Sequence, residues 1–104
     1  MTTEFFQPTA NAAAGGTGAP GATGGNGEGG GLFIDATATA TVLTSVIAGN
    51  KADGGAAGAG GSDGQGIGGG VYNLGTLDLD AASVIHGNDA STSFDNVFGP
   101  ITPI

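Results

Sequence analysis

The chain repeats itself at an interval of about 39 residues, and that interval constrains its fold more than any local propensity. Gly29-Gly30-Gly31-Leu32-Phe33 is answered 39 positions later by Gly68-Gly69-Gly70-Val71-Tyr72. Asn11-Ala12-Ala13-Ala14-Gly15-Gly16 is answered by Asn50-Lys51-Ala52-Asp53-Gly54-Gly55, again at 39. Ile47-Ala48-Gly49-Asn50 is answered by Ile85-His86-Gly87-Asn88, now at 38, so a residue is lost in between. Repetition at a period of a few tens of residues marks architectures in which each unit buries its apolar face on the next.

Within each unit the pattern is that of strands. Thr76 to Asp80 alternate polar with Leu77 and Leu79, and Thr37, Thr39 and Thr41 alternate with Ala38, Ala40 and Val42. Period two buries one face of a strand and exposes the other. A 39-residue offset places Ala38, Ala40 and Val42 over Leu77, Leu79 and Ala81, facing inward. It sets Thr37, Thr39 and Thr41 over Thr76, Asp78 and Asp80, facing outward. Val46-Ile47 and Val84-Ile85 read as a second short strand before a Gly-Asn turn, where asparagine suits the left-handed backbone and bonds locally. Equivalent residues on successive units pair in parallel. The expectation is an all-β chain: a right-handed parallel β-helix, a short solenoid of about two coils with Gly-rich excursions. Its repeats are about 11–49 and 50–87, in a single domain over 1–104 that ends in a C-terminal cap over 88–104. Asn50 and Asn88 are expected to stack at one turn as structural residues.

Twenty of the 24 glycines lie in 15–31 and 54–70, ten in each. Gly15, Gly18, Gly21, Gly24, Gly27 and Gly30 are three apart, and Gly55, Gly58, Gly61, Gly64 and Gly70 keep that phase past a break at Ile67. Three residues per turn is the polyproline-II repeat, in which glycine permits close approach of neighbouring chains. With one proline in these runs and only five or six triplets in each, collagen is a poor reading. The common length and offset favour paired excursions lying side by side over a flexible linker.

Charge excludes some partners. One Lys, no Arg and nine acidic residues give a net charge of −8. Nucleic-acid binding draws on counterion release by clustered cations, so neither nucleic acid nor an anionic membrane is an expected partner. No run approaches the ~20 apolar residues of a spanning helix, so membrane insertion is not expected either. Met1-Thr2-Thr3-Glu4-Phe5-Phe6 lacks the basic and apolar regions of an export signal, so no signal is visible in this chain. With no cysteine, disulfides do not contribute.

The repeated Gly-Gly-Gly-Leu-Phe and Gly-Gly-Gly-Val-Tyr-Asn-Leu-Gly-Thr-Leu, followed by Ile-Ala-Gly-Asn or Ile-His-Gly-Asn, resemble the repeats of bacterial right-handed parallel β-helix proteins of the pectin-lyase-like superfamily. The similarity is to the non-enzymatic secreted or surface members, with the chlamydial polymorphic outer-membrane proteins more distant. Asp95-Asn96-Val97-Phe98-Gly99 is similar to their solenoid terminus. The pattern departs from the chlamydial one, with Ile-x-Gly-Asn in place of Phe-x-x-Asn. The resemblance spans residues 29–99 and implies a fold and an extracellular or cell-surface setting, not a reaction.

No catalytic residues are expected. Glycoside cleavage needs two carboxylates flanking the scissile bond, one kept protonated, and Asp78 and Asp80 as exposed neighbours on one strand would both ionise. Lys51, in a turn, is the sole candidate for the cationic partner that pectinolytic relatives use. His86 has no second His or Cys with which to hold a transition metal. Calcium is the cofactor left open: Asp63, Asp78 and Asp80, with Asp35, Asp53 and Asp89, are hard oxygen ligands. Gly60-Gly61-Ser62-Asp63-Gly64 is a single echo of a calcium β-roll repeat. The other reading of these acids is that they keep a Gly-rich surface soluble. Thr37, Thr39 and Thr41 suggest the threonine arrays of ice-binding solenoids, but Asp78 and Asp80 interrupt that array on the next coil.

The expected role is a structural or adhesive surface module, with calcium or carbohydrate binding on the outward Thr/Asp strand as the alternative. Repeat folds need about three units to stand alone. Two coils therefore point to continuation within a larger solenoid, as its C-terminal fragment, or to end-to-end self-association. Phe94, Val97 and Phe98 are placed to cover one end, and Phe5 and Phe6 the other.

Overall fold

The computed structural model describes residues 2–3 and 12–104, so Asn11, Phe5 and Phe6 lie outside the described residues. Among those described there is no helix. The strands are, in chain order, β1 (Thr2–Thr3), β2 (Ala12–Ala14), β3 (Gly27–Glu28), β4 (Leu32–Ile34), β5 (Thr39–Val42), β6 (Val46–Ala48) and β7 (Lys51–Asp53). The chain then repeats the order with β8 (Gly66–Ile67), β9 (Val71–Asn73), β10 (Thr76–Leu79), β11 (Val84–His86) and β12 (Asp89–Ala90), and ends with β13 (Val97–Phe98) and β14 (Thr102–Pro103).

They form five small sheets, ordered β1-β5-β10-β14, β11-β6, β12-β7-β2, β13-β9-β4 and β3-β8. Every named pair is parallel. The fold is therefore all-β, built from successive passes of the chain laid beside one another.

The register agrees with the sequence repeat at most strands and departs from it at one. Leu32 lies opposite Val71, and Phe33 opposite Tyr72, 39 residues on. Ile47 lies opposite Ile85 at 38. Between them, however, Ala40 faces Leu77 and Val42 faces Leu79, an offset of 37 where 39 was expected. The alternation keeps its phase, but the partners slip by two positions. The bends explain the slip. Four residues, 35–38, connect β4 to β5, closed by Ala38 N–H donating to the Asp35 carbonyl. Only Leu74 and Gly75 connect β9 to β10, with the Gly75 N–H donating to Asn73 Oδ1 at 2.9 Å. A Cβ on Gly75 would come within 2.2 Å of the Ala38 carbonyl oxygen, so this shortcut requires glycine. One residue is regained between β10 and β11, which restores the offset of 38.

The core consists of Leu32, Ile34, Ala40, Val42, Ile47, Val71 and Leu77, with Ala38, Leu79, Ile85 and Val97 packed against it. Leu79, Asp78 and Asp80 are half-buried, whereas the expectation was burial for the leucine and full exposure for the aspartates. Thr37 and Thr39 are exposed as expected.

The glycine runs are held by their backbone. Gly15, Gly18, Gly21, Gly24 and Gly27 donate in turn to the carbonyls of Asp53, Ala56, Ala59, Ser62 and Gln65. The donors are the period-three glycines, each bonded 38 residues ahead. Crosswise bonds from Gly25 to Gly16, Gly55 to Gly25 and Gly58 to Ala22 join the outgoing and returning halves. The two excursions lie side by side, as the common spacing suggests.

Residues 88–104 add strands to three sheets: β12 on β7, β13 on β9 and β14 on β10. This last pass omits the glycine excursion, since six residues connect β12 to β13.

Candidate functional site

The outward face of the sheet containing β5 and β10 is the surface on which sequence reasoning placed a binding function. The observed register rearranges it. Thr39 faces Thr76, Thr41 faces Asp78, and Asp78 faces Thr102 on the next strand. The expected juxtapositions of Thr37 with Thr76 and of Thr41 with Asp80 do not occur, because of the two-residue slip. One aspartate, not two, stands in this face. Its carboxylate oxygen Oδ2 is 3.5 Å from the Thr41 hydroxyl, a long contact.

The other acids brace turns. Asp80 lies past the end of β10, where its carboxylate accepts the Thr44 N–H at 3.1 and 3.2 Å and the Ser83 hydroxyl at 2.5 Å. Thr44 has φ +51, a left-handed conformation that an L-residue adopts only under strain. Asp80 thus holds an unfavourable turn from the neighbouring pass. The Ser83 hydroxyl, followed by the N–H groups of Thr44, Ser83 and Ala82, lowers its pKa from the ordinary 3.8. Asp35 accepts both the N–H and the hydroxyl of Thr37 at 2.8 Å, and these bonds lower its pKa as well. Asp63 accepts the Ala57 N–H at 2.7 Å across a glycine excursion. Asp53, half-buried, is 3.5 Å from the exposed Lys51. Asp89 and His86 are exposed. Among the described residues, no three His, Asp or Glu side chains are brought together.

The asparagines form the most developed polar arrangement. Asn88 Oδ1 accepts the Asn50 backbone N–H at 2.9 Å and its side-chain amide at 3.1 Å. The Asn88 amide donates to the carbonyls of Ile47 and His86. Asn96, in register with Gly70, brings its Oδ1 within 3.1 Å of the Asn88 N–H, which it accepts as Asn88 Oδ1 accepts that of Asn50. Sequence reasoning identified the first two members and missed Asn96, because it stands where the earlier passes have Gly31 and Gly70, not at the repeated Gly-Asn turn. The left-handed residue of each turn is the preceding glycine, Gly49 (φ +70) or Gly87 (φ +64), not the asparagine. The asparagines are therefore selected for their inward amides. The triple glycines make room for them: a Cβ on Gly31 would sit 2.9 Å from Asn50 Nδ2, and one on Gly70 2.7 Å from Asn88 Nδ2. Among the described residues, every buried side-chain N or O has a partner.

A second feature was not anticipated. The Phe33 and Tyr72 rings stack at 5.4 Å, Tyr72 and Phe98 stack at 4.6 Å, and Phe94 meets Phe98 edge-on at 5.2 Å. Such contacts contribute about 0.5–1.5 kcal/mol each beyond the area they bury. The 39-residue spacing of Phe33 and Tyr72 was the available signal. Partial desolvation, then the charge and hydrogen bond of Glu28, raise the Tyr72 pKa above its ordinary 10.0.

No protein-family model matches the chain, and no curated protein and no solved structure shows significant similarity to it.

Proposed function

We propose that this chain is a short right-handed parallel β-helix whose role is structural or adhesive, at a bacterial surface or outside the cell, and not catalytic. The observation that supports this best is how its carboxylates are used. Asp35, Asp63 and Asp80 each accept a backbone N–H of a turn or excursion, and Asp80 reaches across passes to do so. Carboxylates committed to turns as hydrogen-bond acceptors are poorly placed to donate a proton in glycoside cleavage, which needs one carboxyl kept neutral. The resemblance of the Gly-Gly-Gly and Gly-Asn segments to non-enzymatic pectin-lyase-like proteins points the same way, as does the parallel pairing of successive passes. The test is incubation with polygalacturonate and related uronic-acid polymers, following release of reducing or unsaturated ends. We expect no turnover; turnover lost on Asp78→Asn would overturn the reading.

The alternative, calcium or carbohydrate binding, rests on the Thr39/Thr76 and Thr41/Asp78/Thr102 rows of oxygen donors. Titration calorimetry with calcium and a glycan array decides it. Saturable binding abolished by Asp78→Asn would favour a ligand module over a purely structural one.

A further inference from the structure

The two glycine excursions share one pattern but differ at a position where the difference is chemical. Asn26-Gly27 in the first is answered, 39 residues on, by Gln65-Gly66 in the second. Of the six asparagines in the chain, only Asn26 precedes a glycine. Asparagine before glycine is the pair most prone to lose ammonia, because no Cβ shields the backbone nitrogen that follows. That nitrogen attacks the side-chain carbonyl carbon and closes a five-membered succinimide. Glutamine would have to close a six-membered ring, which forms far more slowly. Gln65 is therefore nearly inert where Asn26 is reactive.

The fold ties both reacting groups to one residue of the neighbouring excursion. Asn26 Oδ1 accepts the Gln65 N–H at 2.9 Å, and the Gly27 N–H donates to the Gln65 carbonyl at 2.8 Å. Asn26 is exposed but Gly27 is buried, so water reaches the amide while the attacking nitrogen stays enclosed. Its proton, which must leave for attack to occur, is held by a carbonyl. The chain just before the pair is fixed as well, Gly24 donating to Ser62 and Gly25 to Gly16.

We propose that Asn26 is a spontaneous modification site, gated by the docking of the first excursion on the second. When the excursion lifts, the Gly27 nitrogen attacks Asn26 Cγ, its proton passes to solvent, and the side-chain nitrogen leaves as ammonia. Water then opens the succinimide at either carbonyl, giving aspartate or isoaspartate. Aspartate keeps an oxygen that accepts the Gln65 N–H. Isoaspartate adds a backbone carbon between Gly24 and Gly27, whose N–H groups then fall out of step with the Ser62 and Gln65 carbonyls. The excursion cannot redock in register, so an opening that is otherwise reversible becomes permanent. The inference needs only the contacts between excursions, so it stands apart from the proposed function.

Peptide mapping by mass spectrometry tests this, following the amide-to-acid mass gain at Asn26 during incubation at neutral pH. In the folded wild type, conversion should be at least about tenfold slower than in urea, since only the opened fraction reacts. Gln65→Asn supplies an internal comparison. It places a second Asn-Gly pair in the other excursion and leaves the backbone groups that hold Asn26 in place. No excursion follows in the last pass, and the Gly66 N–H there meets the Thr92 hydroxyl in place of a carbonyl. In the folded variant the substituted position should convert first and Asn26 should lag, with both fast in urea. Circular dichroism checks that the variant retains its strands, and the wild-type comparison needs no variant at all. Refolded chains carrying isoaspartate at this position should exchange the Gly24 and Gly27 amide hydrogens faster than unmodified chains. Equal Asn26 rates in folded and unfolded wild type, Asn26 converting as fast as the substituted position, or unchanged exchange in the isoaspartate chains would each overturn the proposal.

Discussion

The strand regions and the glycine excursions are two solutions to the same problem of laying one pass of chain beside the next. In the strands, passes are joined by parallel backbone ladders and the interior they enclose is filled by side chains: Leu77 beside Ala40, Leu79 beside Val42, Ile85 beside Ile47. In the excursions it is filled by nothing, and passes approach until backbone meets backbone. A Cβ on Gly55 would lie 2.1 Å from the Gly16 carbonyl oxygen, one on Gly24 2.1 Å from that of Gly55, and one on Gly64 1.9 Å from that of Gly25. One region adds the burial of apolar surface to its backbone ladders, and the other relies on hydrogen bonds made where side chains are forbidden. Glycine loses the most chain entropy on ordering, so the excursions hold together only while nearly every third N–H finds its carbonyl.

The comparison fails if the excursions tolerate side chains. Gly55→Ala should destabilise the chain by about 4 kcal/mol or more, because backbone must move to admit the methyl group. Gly16, whose added Cβ meets nothing within 4 Å, is the control: Gly16→Ala should be neutral or stabilise by up to about 1 kcal/mol. Urea unfolding of both variants measures this difference, and equal effects would mean that the excursions are loosely held. On the strand side, Leu77→Ala should cost about 3 kcal/mol, the range for a buried leucine that leaves a cavity. Thermal or urea melts report it, and a cost below about 1 kcal/mol would show that the strand core is not what holds this half.

The asparagine pair lies between the two regimes, since its side chains fill the interior but act through hydrogen bonds. Asn88→Ala should cost about 2 kcal/mol, from removing the acceptor of the Asn50 backbone N–H and amide and the donor to the Ile47 carbonyl. Asn50→Ala, at an equally buried site, should also cost about 1–2 kcal/mol, although it leaves the bonds of Asn88 to Ile47 and His86 in place. Melts of both variants measure this. The smallest expected effect is at Asp80. Its folded pKa lies below the ordinary 3.8, so its contribution is fully present above that value and is lost as pH falls through the lowered pKa. Wild-type melting temperature should therefore decline more steeply on acidification below pH 3.8 than that of Asp80→Asn. Parallel pH profiles would show that the Thr44 turn does not depend on this carboxylate.

Much of this architecture is legible in the residues. The 39-residue recurrence of Gly-Gly-Gly-Leu-Phe states which segments pair, the Thr/Ala and Asp/Leu alternation states which face is inward, and the common spacing of the two glycine runs states that the excursions lie side by side. The register of β5 on β10 is not legible, because it depends on whether the preceding bend uses two residues or four. That choice lies in Asn73 and Gly75, whose amide contact and close approach to the Ala38 carbonyl exist only once the passes are adjacent. The candidate binding face changes with it, from two aspartates in the row to one.

Periodicity is a one-dimensional property of the chain. Through it the sequence by itself determined parallel pairing, the phase of burial, the Asn50–Asn88 contact and the side-by-side course of the glycine excursions. The tertiary structure decided the features that depend on distances between passes. It set the slip at Thr39–Thr76, brought Asn96 under Asn88 in a pass that has lost its excursion, and aligned Phe33, Tyr72 and Phe98 into one stack. The physical reason is that a repeat specifies which residues are equivalent, whereas loop length and steric contact specify where those equivalents come to rest.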